Sequence, residues 1–281
     1  MVLVQTKKEL ASLLSTFSQT DGLGLVPTMG ALHKGHMSLV KNALSENKNV
    51  IVSIFVNPTQ FDNVDDLEKY PQTLEADIAL LKEVSDTICV FSPTVEEIYS
   101  DNVKTTMYDF LGLDKVMEGE FRDDHFNGVG TIVEALLKLV NPDKAYFGEK
   151  DFQQLQIIKK LVSIRQIPVE IKGCPIVREP SGLAMSSRNE RLSKTMRKEA
   201  AFIYKTLKSA KNKFGTESAQ NVLSWVKNQF KNHPDLELEY IEIADVDTLT
   251  PIQKKHANIK YRAFVAVFTE NIRLIDNIAL N

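Results

Sequence analysis

The sequence predicts an α/β fold, a doubly wound parallel sheet followed by a smaller C-terminal α+β domain. Over residues 1–175, short apolar runs alternate with longer stretches in which apolar residues recur at helical spacing. Right-handed strand–helix–strand crossovers produce this pattern. After Arg178, a loop-rich stretch and two helical stretches precede runs in which apolar and polar residues alternate, as they do in half-buried strands. The larger part is therefore expected to be Rossmann-like.

The first part is predicted to begin with a short strand and an amphipathic helix within residues 1–14. Later apolar runs predict strands at 23–28, 49–58, 86–93, 143–149 and 168–176. Apolar residues at helical spacing predict helices at 36–47, 65–84 (after an irregular start), 126–142 and 151–166.

The second part is predicted to contain two helices and a small antiparallel sheet. The helices are expected at 194–214 and 217–232, and the strands within 236–249 and 261–280. Glu270 and Asn271 are expected at the tip of a hairpin. The predicted domains are 1–175 and 176–281, with the boundary between Ile171 and Gly182.

Composition excludes several classes of protein. The chain has 281 residues, 43% of them hydrophobic and 25% charged, and a formal net charge of −3, so neither a nucleic acid nor a membrane surface is expected as the main partner. No run approaches the roughly 18 apolar residues of a membrane span, and the N-terminus does not resemble a signal peptide. The two cysteines are isolated in sequence, which predicts reduced thiols in a cytoplasmic protein.

Candidate chemistry lies in the loops that follow strands, because ligands of doubly wound sheets bind beyond the carboxyl ends of the strands. These loops are 27–35, 57–62, 92–100 and 148–151. In the first, Gly30 and Gly35 have the spacing of a P-loop, but His36 stands where lysine is required. A dinucleotide fingerprint is also absent.

The remaining pattern is a strand end, two glycines and two histidines at a helix start. Such a site favours an anion, and the imidazoles of His33 and His36 could stabilise charge on a phosphate. The alternative is that they are solvated or capping histidines. A zinc site is disfavoured because the glutamate of an H-E-x-x-H motif and nearby cysteines are missing.

Four further groups of polar residues are candidates, each with a structural alternative. Asn57 and Gln60 offer neutral amides to a substrate, or form an Asn-Pro turn. Lys150 offers a cation to phosphates, and Asp151 could cap a helix or hold a ribose hydroxyl or Mg²⁺. The alternative is that both residues simply belong to a charged helix N-terminus.

The last two groups contain arginine. Ser186, Ser187 and Arg188 could close over a polyphosphate, or form a polar turn. Arg122 and His125 could contact a carboxylate, or pair with the neighbouring aspartates in a solvated loop.

Together these stretches resemble the pantothenate synthetase family. The stretches are "PTMGALHKGH", "FVNPTQF", "HFNGVGTIV", "YFGEKDFQQL" and "GLAMSSRN", and the ending "RLIDNIA" also fits. The His-x-Gly-His element alone is similar to that of nucleotidyltransferases and class I aminoacyl-tRNA synthetases, whereas the full set is specific.

The resemblance implies an AMP-forming ligase that joins (R)-pantoate to β-alanine and makes pantothenate, a coenzyme A precursor. Pantoate would attack the α-phosphorus of ATP, and the amine would then displace AMP from pantoyl adenylate. The resemblance also implies Mg²⁺, a cytoplasmic homodimer, a nucleotide- and pantoate-binding domain over 1–175 and a lid domain over 176–281.

Site residues follow from the same resemblance. The implied catalytic residues are His36, His33, Lys150 and Arg188. The implied ATP-binding residues are Met29, Gly30, Ala31, Leu32, His33, Lys34, Gly35, His36, Gly148, Glu149, Lys150, Asp151, Val177, Met185, Ser186, Ser187 and Arg188. The implied substrate-binding residues are Gln60, Gln154, Asn57, Tyr70, Arg122 and His125. No metal ligand in the protein is assigned.

Two positions depart from the family pattern. Asp123 follows Arg122 where the family usually has proline, and Gln72 stands where it usually has arginine. Two other functions stay open. An adenylyltransferase of this fold would release pyrophosphate without any amine, and a non-catalytic module would only bind nucleotide.

Overall fold

A six-stranded parallel sheet and a three-stranded antiparallel sheet organise the protein. The computed structural model describes residues 1–18, 20–61, 67–100 and 102–281. The end of the predicted loop at 57–62 and the start of the predicted helix at 65–84 fall outside these described residues.

The strands of the first sheet are β1 (Val2–Val4), β2 (Leu23–Thr28), β3 (Asn49–Ile54), β4 (Cys89–Phe91), β5 (Lys144–Gly148) and β6 (Glu170–Cys174). They pair in the order β1-β4-β3-β2-β5-β6, and every pairing is parallel. The prediction of a doubly wound sheet is confirmed. The strand order reverses beside β2, whose carboxyl end is where a ligand of such a sheet binds.

Helices connect these strands. They are α1 (Lys7–Leu14), α2 (Lys34–Glu46), α3 (Leu74–Val84), α4 (Val95–Tyr99), α5 (Glu118–Phe121), α6 (His125–Val140) and α7 (Phe152–Arg165). A capping box between Thr6 and Glu9 fixes the start of α1. The short helices α4 and α5 were not predicted, because one or two turns give too few residues to show a period.

One core of the parallel sheet is made of β-branched residues packed against helices. Val26, Val52 and Val90 are completely buried in neighbouring strands, and they pack with Val40 of α2 and Leu81 of α3. Burying such side chains contributes about 1.5–3 kcal/mol each.

Both cysteines are buried free thiols. Burial raises the pKa of Cys89 and of Cys174, so both are unreactive thiols at neutral pH. The prediction of two unpaired thiols is confirmed.

The remaining elements are α8 (Lys194–Glu199), α9 (Ala201–Phe214), α10 (Ala219–Lys231), β7 (Glu237–Asp245), β8 (Tyr261–Thr269) and β9 (Ile272–Ala279). The three strands form an antiparallel sheet in chain order. Glu270 and Asn271 have φ of 48° and 60°, as both central residues of a type I′ turn require. The predicted hairpin is confirmed.

The prediction of one helix over 194–214 is wrong. The chain turns at Ala200, which ends α8 and precedes α9. Ala200 is completely buried, and its N–H donates to the carbonyl of Met196 at 2.8 Å. The interruption is local, since Ala200 keeps helical φ and ψ of −59° and −14°, and it falls at a residue of high helix propensity.

Contacts divide the described chain into two compact units. The first comprises Met1–Glu149 and Gln154–Pro175, and the second comprises Lys150–Gln153 and Ile176–Asn281. The assignment of separate functions to domains 1–175 and 176–281 stays a prediction. Within the described ranges, no helix has the length and apolar character needed to cross a membrane.

Candidate active site

The glycine loop leaves β2 in an unusual backbone conformation. Gly30 has φ of 81° and Ala31 has φ of 49°, both in the left-handed region. The buried carboxylate of Asp77 in α3 accepts the N–H of Ala31 at 3.0 Å and that of Leu32 at 2.7 Å. This loop lies at the sheet edge where the strand order reverses.

The two histidines cap α2 reciprocally. His33 is the N-cap residue, and its Nδ1 accepts the N–H of Gly35 at 3.1 Å. Nδ1 of His36 accepts the N–H of His33 at 3.3 Å, and the two ring centroids are 4.1 Å apart. Both histidines therefore cap the helix through Nδ1, as the alternative interpretation of the sequence expects.

This cap determines the tautomer of both rings. A neutral imidazole that accepts at Nδ1 carries its proton on Nε2. Both His33 and His36 can thus donate a hydrogen bond from Nε2 at the positive end of a helix dipole. That arrangement suits an anion such as phosphate.

Gln60 lies next to the glycine loop. It ends a 3-10 turn, Pro58–Gln60, that follows β3. Its Nε2 donates to Sδ of Met29 at 3.0 Å, and only 9% of the residue is exposed. The structure therefore brings two of the motifs together, although they are about 30 residues apart in sequence.

Asn57 holds Gln60 in place. Its Nδ2 donates to Oε1 of Gln60 at 3.1 Å and to the carbonyl of Gly128 at 3.2 Å. Its Oδ1 accepts from Tyr99 and Thr59. Burial raises the pKa of the Tyr99 phenol, and its hydrogen bond with Thr59 lowers it by less, so the phenol keeps the proton that it donates.

Arg122 and His125 support the backbone of Gln60. The Gln60 carbonyl accepts from Arg122 at 3.2 Å and from Nδ1 of His125 at 2.8 Å. Arg122 also lies 3.1 Å from Nε2 of His125. Tyr70 is buried, and its ring meets Phe61 edge-on with centroids 5.7 Å apart. Of the predicted substrate-binding residues, Asn57, Arg122 and His125 thus contact Gln60.

Gly148 is the last residue of β5, which pairs with β2, and Glu149 follows it. Gln154 lies in the first turn of α7 and is half-buried.

Lys150 and Asp151 belong to the second unit. Nζ of Lys150 lies 3.5 Å from Oδ1 of Asp151. The Lys150 carbonyl accepts from Nδ2 of Asn277 at 2.8 Å, and Arg262 donates to Oδ1 of Asn277. The same Arg262 stacks on the ring of Phe152, 4.1 Å from its centroid.

The serine–arginine loop also lies in the second unit. Met185 N–H donates to the carbonyl of Val177 at 3.0 Å, which joins two predicted ATP residues. Oγ of Ser186 accepts the N–H of Arg188 at 3.3 Å and caps the turn Ser187–Arg191. This is the local polar turn that the sequence left open as an alternative.

Buried Asn189 and partly buried Glu179, which sequence reasoning did not identify, hold this loop in place. Nδ2 of Asn189 donates to Oε1 of Glu179 at 2.9 Å and to the carbonyl of Ala184 at 3.0 Å. Arg197 binds both carboxylate oxygens of Glu179 at 3.0 Å. Asn189 lies within the quoted stretch "GLAMSSRN", which was the available signal.

Among the residues that the structure describes, no three His, Cys, Asp or Glu side chains are grouped so that they could hold a metal ion.

Comparison with protein families identifies the chain. The family model described as pantoate-beta-alanine ligase matches residues 2–279. The chain belongs to the pantoate-beta-alanine ligase family. It is an enzyme, a carbon–nitrogen ligase, as the resemblance implied.

Curated relatives of this ligase agree with the assignment. Pantothenate synthetase from Christiangramia forsetii is 62% identical over 265 residues, which is 94% of each chain. Pantothenate synthetase from Flavobacterium psychrophilum is 52% identical over 281 residues, covering 100% of both chains.

Solved structures of the family have the same fold. A pantothenate synthetase from Thermus thermophilus matches with a TM-score of 0.90 and 39% identity, over 100% of this chain and 99% of that one. A ligase from Francisella tularensis, complexed with beta-gamma ATP and beta-alanine, matches with a TM-score of 0.82 and 37% identity, over 100% and 98% of the two chains. The predicted fold and family are confirmed.

Proposed function

We propose that this ligase condenses (R)-pantoate with β-alanine at the expense of ATP, giving pantothenate, AMP and pyrophosphate through pantoyl adenylate. The observation that carries the proposal is the reciprocal histidine cap at the end of β2, with Gln60 held against the same loop. It combines donors for phosphate with a neutral amide for an organic substrate.

In the first step, an oxygen of the pantoate carboxylate attacks the α-phosphorus of ATP. A new oxygen–phosphorus bond forms as the bond to pyrophosphate breaks. The carboxylate is already a nucleophile, so the enzyme has to position the reactants and stabilise charge on the phosphate oxygens. We assign that stabilisation to the Nε2–H groups of His36 and His33, with His36 as the main catalytic donor.

In the second step, the amine of β-alanine attacks the acyl carbon of pantoyl adenylate. The carbon–nitrogen bond forms, the bond to the AMP oxygen breaks, and the attacking nitrogen loses one proton to solvent or to a product phosphate, which leaves the amide N–H of pantothenate. Gln60 is proposed to bind both pantoate and β-alanine, and Gln154 to bind pantoate. Asn57, Tyr70, Arg122 and His125 are proposed to complete this part of the site, three of them through their contacts with Gln60.

ATP is proposed as the co-substrate. The proposed ATP-binding residues of the first unit are Met29 to His36, Gly148 and Glu149. Those of the second unit are Lys150, Asp151, Val177 and Met185 to Arg188. Lys150 and Arg188 supply positive charge for the phosphates. Mg²⁺ is proposed to enter bound to the phosphate oxygens of ATP, since it prefers such hard ligands.

The protein is further proposed to act in the cytoplasm as a homodimer. A surface suited to a second copy lies on residues 102–121, where Val103, Met107, Leu111 and Phe121 are between 47% and 70% exposed. The residues on either side of Met107 are fastened to α6, because Thr106 N–H donates to Thr131 and Tyr108 N–H to Asn127. The apolar side chain of Met107 is thus presented on an anchored segment.

The deciding experiment measures AMP and pyrophosphate release from ATP, Mg²⁺ and pantoate, with and without β-alanine. Sustained AMP formation that requires the amine is expected. Sustained pyrophosphate release without amine, leaving a stable adenylated product, would instead indicate the adenylyltransferase. ATP binding with no turnover in either reaction would indicate the binding module.

A further inference from the structure

A carboxylate outside all of the recognised motifs holds the glycine loop. Asp77 lies in the first turn of α3, and only 2% of it is exposed. Its Oδ2 accepts the N–H of Ala31 at 3.0 Å, and its Oδ1 accepts the N–H of Leu32 at 2.7 Å. Oδ1 also accepts the hydroxyl of Thr73 at 3.2 Å.

The loop needs such a partner because its backbone conformation is unfavourable. Ala31 has φ of 49°, a region that residues with a Cβ rarely occupy unless surrounding contacts hold them there. The two amides that Asp77 binds are those of Ala31 itself and of the next residue. Immediately afterwards comes His33, whose backbone begins the histidine cap.

The closeness of Asp77 to the loop also favours glycine at position 30, which precedes Ala31. A Cβ at Gly30 would lie 3.1 Å from Oδ2 of Asp77 and 3.2 Å from Ile54. A side chain at this position would therefore be tightly packed against the carboxylate, in addition to the positive φ of 81° that favours glycine there.

We propose that Asp77 is a positioning residue of the ligase, which sets the direction of the His33 and His36 rings through the Ala31–Leu32 backbone. This inference rests on the proposed function of those rings. Asp77 does not contact substrate in this role, since it is buried and both oxygens bind protein groups. Its location in the first turn of α3 places its negative charge favourably in the dipole of that helix.

The test compares Asp77→Asn with Glu75→Gln. Glu75 is exposed on the same helix, so its variant makes the same charge change without touching the loop. The asparagine offers one acceptor where two amides need two. We expect kcat/KM for ATP to fall by about 10-fold or more in Asp77→Asn, with KM for β-alanine unchanged, because hydrogen bonds to a charged group are strong. Glu75→Gln is expected to match wild type.

Amide hydrogen exchange supplies a readout that does not depend on catalysis. Exchange at Ala31 and Leu32 should accelerate about 10-fold or more in Asp77→Asn, whereas exchange along β2 and β3 stays at the wild-type rate. Uniform acceleration along the sheet would reveal a general loss of stability and overturn the proposal. Kinetics within about two-fold of wild type would overturn it too.

If Asp77→Asn does not fold, Thr73→Val tests the same contact, because Thr73 is exposed and donates one bond to Oδ1. Its kcat/KM for ATP is expected to fall about 2–5-fold, and an unchanged value would contradict the proposal. An absence of ligase activity in wild type would refute the proposed function instead, while exchange at Ala31 and Leu32 would still report on Asp77.

Discussion

At the scale of single residues, the histidine pair shows how the backbone prepares a side chain for chemistry. Each Nδ1 accepts a backbone N–H, so the proton of each neutral ring is placed on Nε2. A ring that is fixed in one tautomer and orientation needs little reorganisation when charge develops on a phosphate oxygen.

Replacement of His36 by alanine is expected to lower kcat at least 100-fold, about 3 kcal/mol, because a preorganised donor to the transition state is lost. Steady-state AMP formation at saturating ATP and pantoate measures this effect. His256→Ala removes an exposed histidine of the second unit and serves as the control. Near-normal turnover of the His36 variant would remove that residue from catalysis.

Replacement of Gln60 by alanine is expected to raise KM for pantoate about 10-fold or more, because a buried amide that binds a substrate group contributes about 1–3 kcal/mol. Initial rates over a pantoate series give this value. Gln72→Ala, at an exposed position where the family usually has arginine, is expected to leave KM unchanged. A raised KM in the Gln72 variant would show that this departure from the family pattern affects substrate binding.

The sequence indicates residues with distinctive chemistry, but it does not indicate the residues that hold them in position. Two histidines flanking a glycine at a helix start were visible, as was a neutral amide after a strand. Asp77 was not, since an aspartate in the first turn of an amphipathic helix is ordinary. Its contact with Ala31 spans 46 residues and depends on how α3 packs, which no local pattern encodes.

At the scale of secondary structure, the close approach of α6 to the Pro58–Gln60 turn explains a glycine inside a helix. A Cβ at Gly128 would lie 2.0 Å from the carbonyl oxygen of Thr59. The same region of α6 binds Asn57 through the Gly128 carbonyl. Glycine there costs helix propensity but allows the backbone contact that places Gln60.

Gly128→Ala is therefore expected to destabilise the protein by about 1–3 kcal/mol, although alanine is the better helix former, because the clash is with backbone. Urea denaturation gives the free energy of unfolding. In Gly215→Ala the nearest contact of the new Cβ is 3.3 Å, from Asn212, and φ is −61°, so a change of only a few tenths of a kcal/mol is expected. Equal effects of the two variants would contradict this account.

Glu134 of α6 joins that helix to α7 and to the segment that contains Tyr108. Its carboxylate binds the hydroxyl of Tyr108 at 2.6 Å, Nε of Arg165 at 2.7 Å and Nζ of Lys138 at 2.7 Å. Burial opposes its ionisation, but these three partners together lower the pKa of Glu134 to about 2. Burial, with Glu134 as the next cause, raises the pKa of Tyr108, which remains a hydrogen-bond donor.

A lowered carboxylate pKa stabilises the fold at neutral pH, and this stabilisation is lost as pH falls from about 4.5 towards 2. Glu134→Gln is expected to lose about 1–2 kcal/mol at pH 7. The difference from wild type should shrink when the unfolding free energy is measured near pH 3. A constant difference across this range would show that the carboxylate charge does not contribute.

Elements were predicted well wherever the chain is long and periodic. The parallel strands, the long helices and the hairpin tip at Glu270 and Asn271 follow from apolar spacing and turn chemistry. The break at Ala200 did not, because neither glycine nor proline marks it. The irregular segment 102–117 carries no period at all, and its anchoring to α6 depends on side-chain contacts between separate elements.

At the scale of the whole molecule, the proposed dimer has a direct test. Met107→Asp is expected to weaken self-association at least 10-fold, because a charge would replace an apolar side chain at the interface. Sedimentation velocity over a concentration series measures the dissociation constant. Val2→Asp, at an exposed apolar position on β1, is the control. A wild-type chain that sediments as a monomer at all concentrations would refute the dimer itself.

The sequence predicts an α/β part followed by an α+β part, but it does not show that a short segment of the first part belongs to the second compact unit. The second unit includes the segment Lys150–Gln153, which lies within the stretch that local periodicity assigns to a strand–helix crossover. Asn277 binds Lys150, and Arg262 and Phe264 contact Phe152. These partners are more than 100 residues away, beyond the reach of any pattern read in a local window.

This shared segment limits how the protein can be dissected. A gene fragment that encodes only 176–281 would lack Phe152, so the guanidinium of Arg262 and the ring of Phe264 would lose an aromatic neighbour. It would also leave the amide of Asn277 without the Lys150 carbonyl. An isolated fragment that keeps these contacts would need residues 150–153 connected to residues 176–281 by an engineered linker. A circular permutation that makes the two segments contiguous would serve the same purpose.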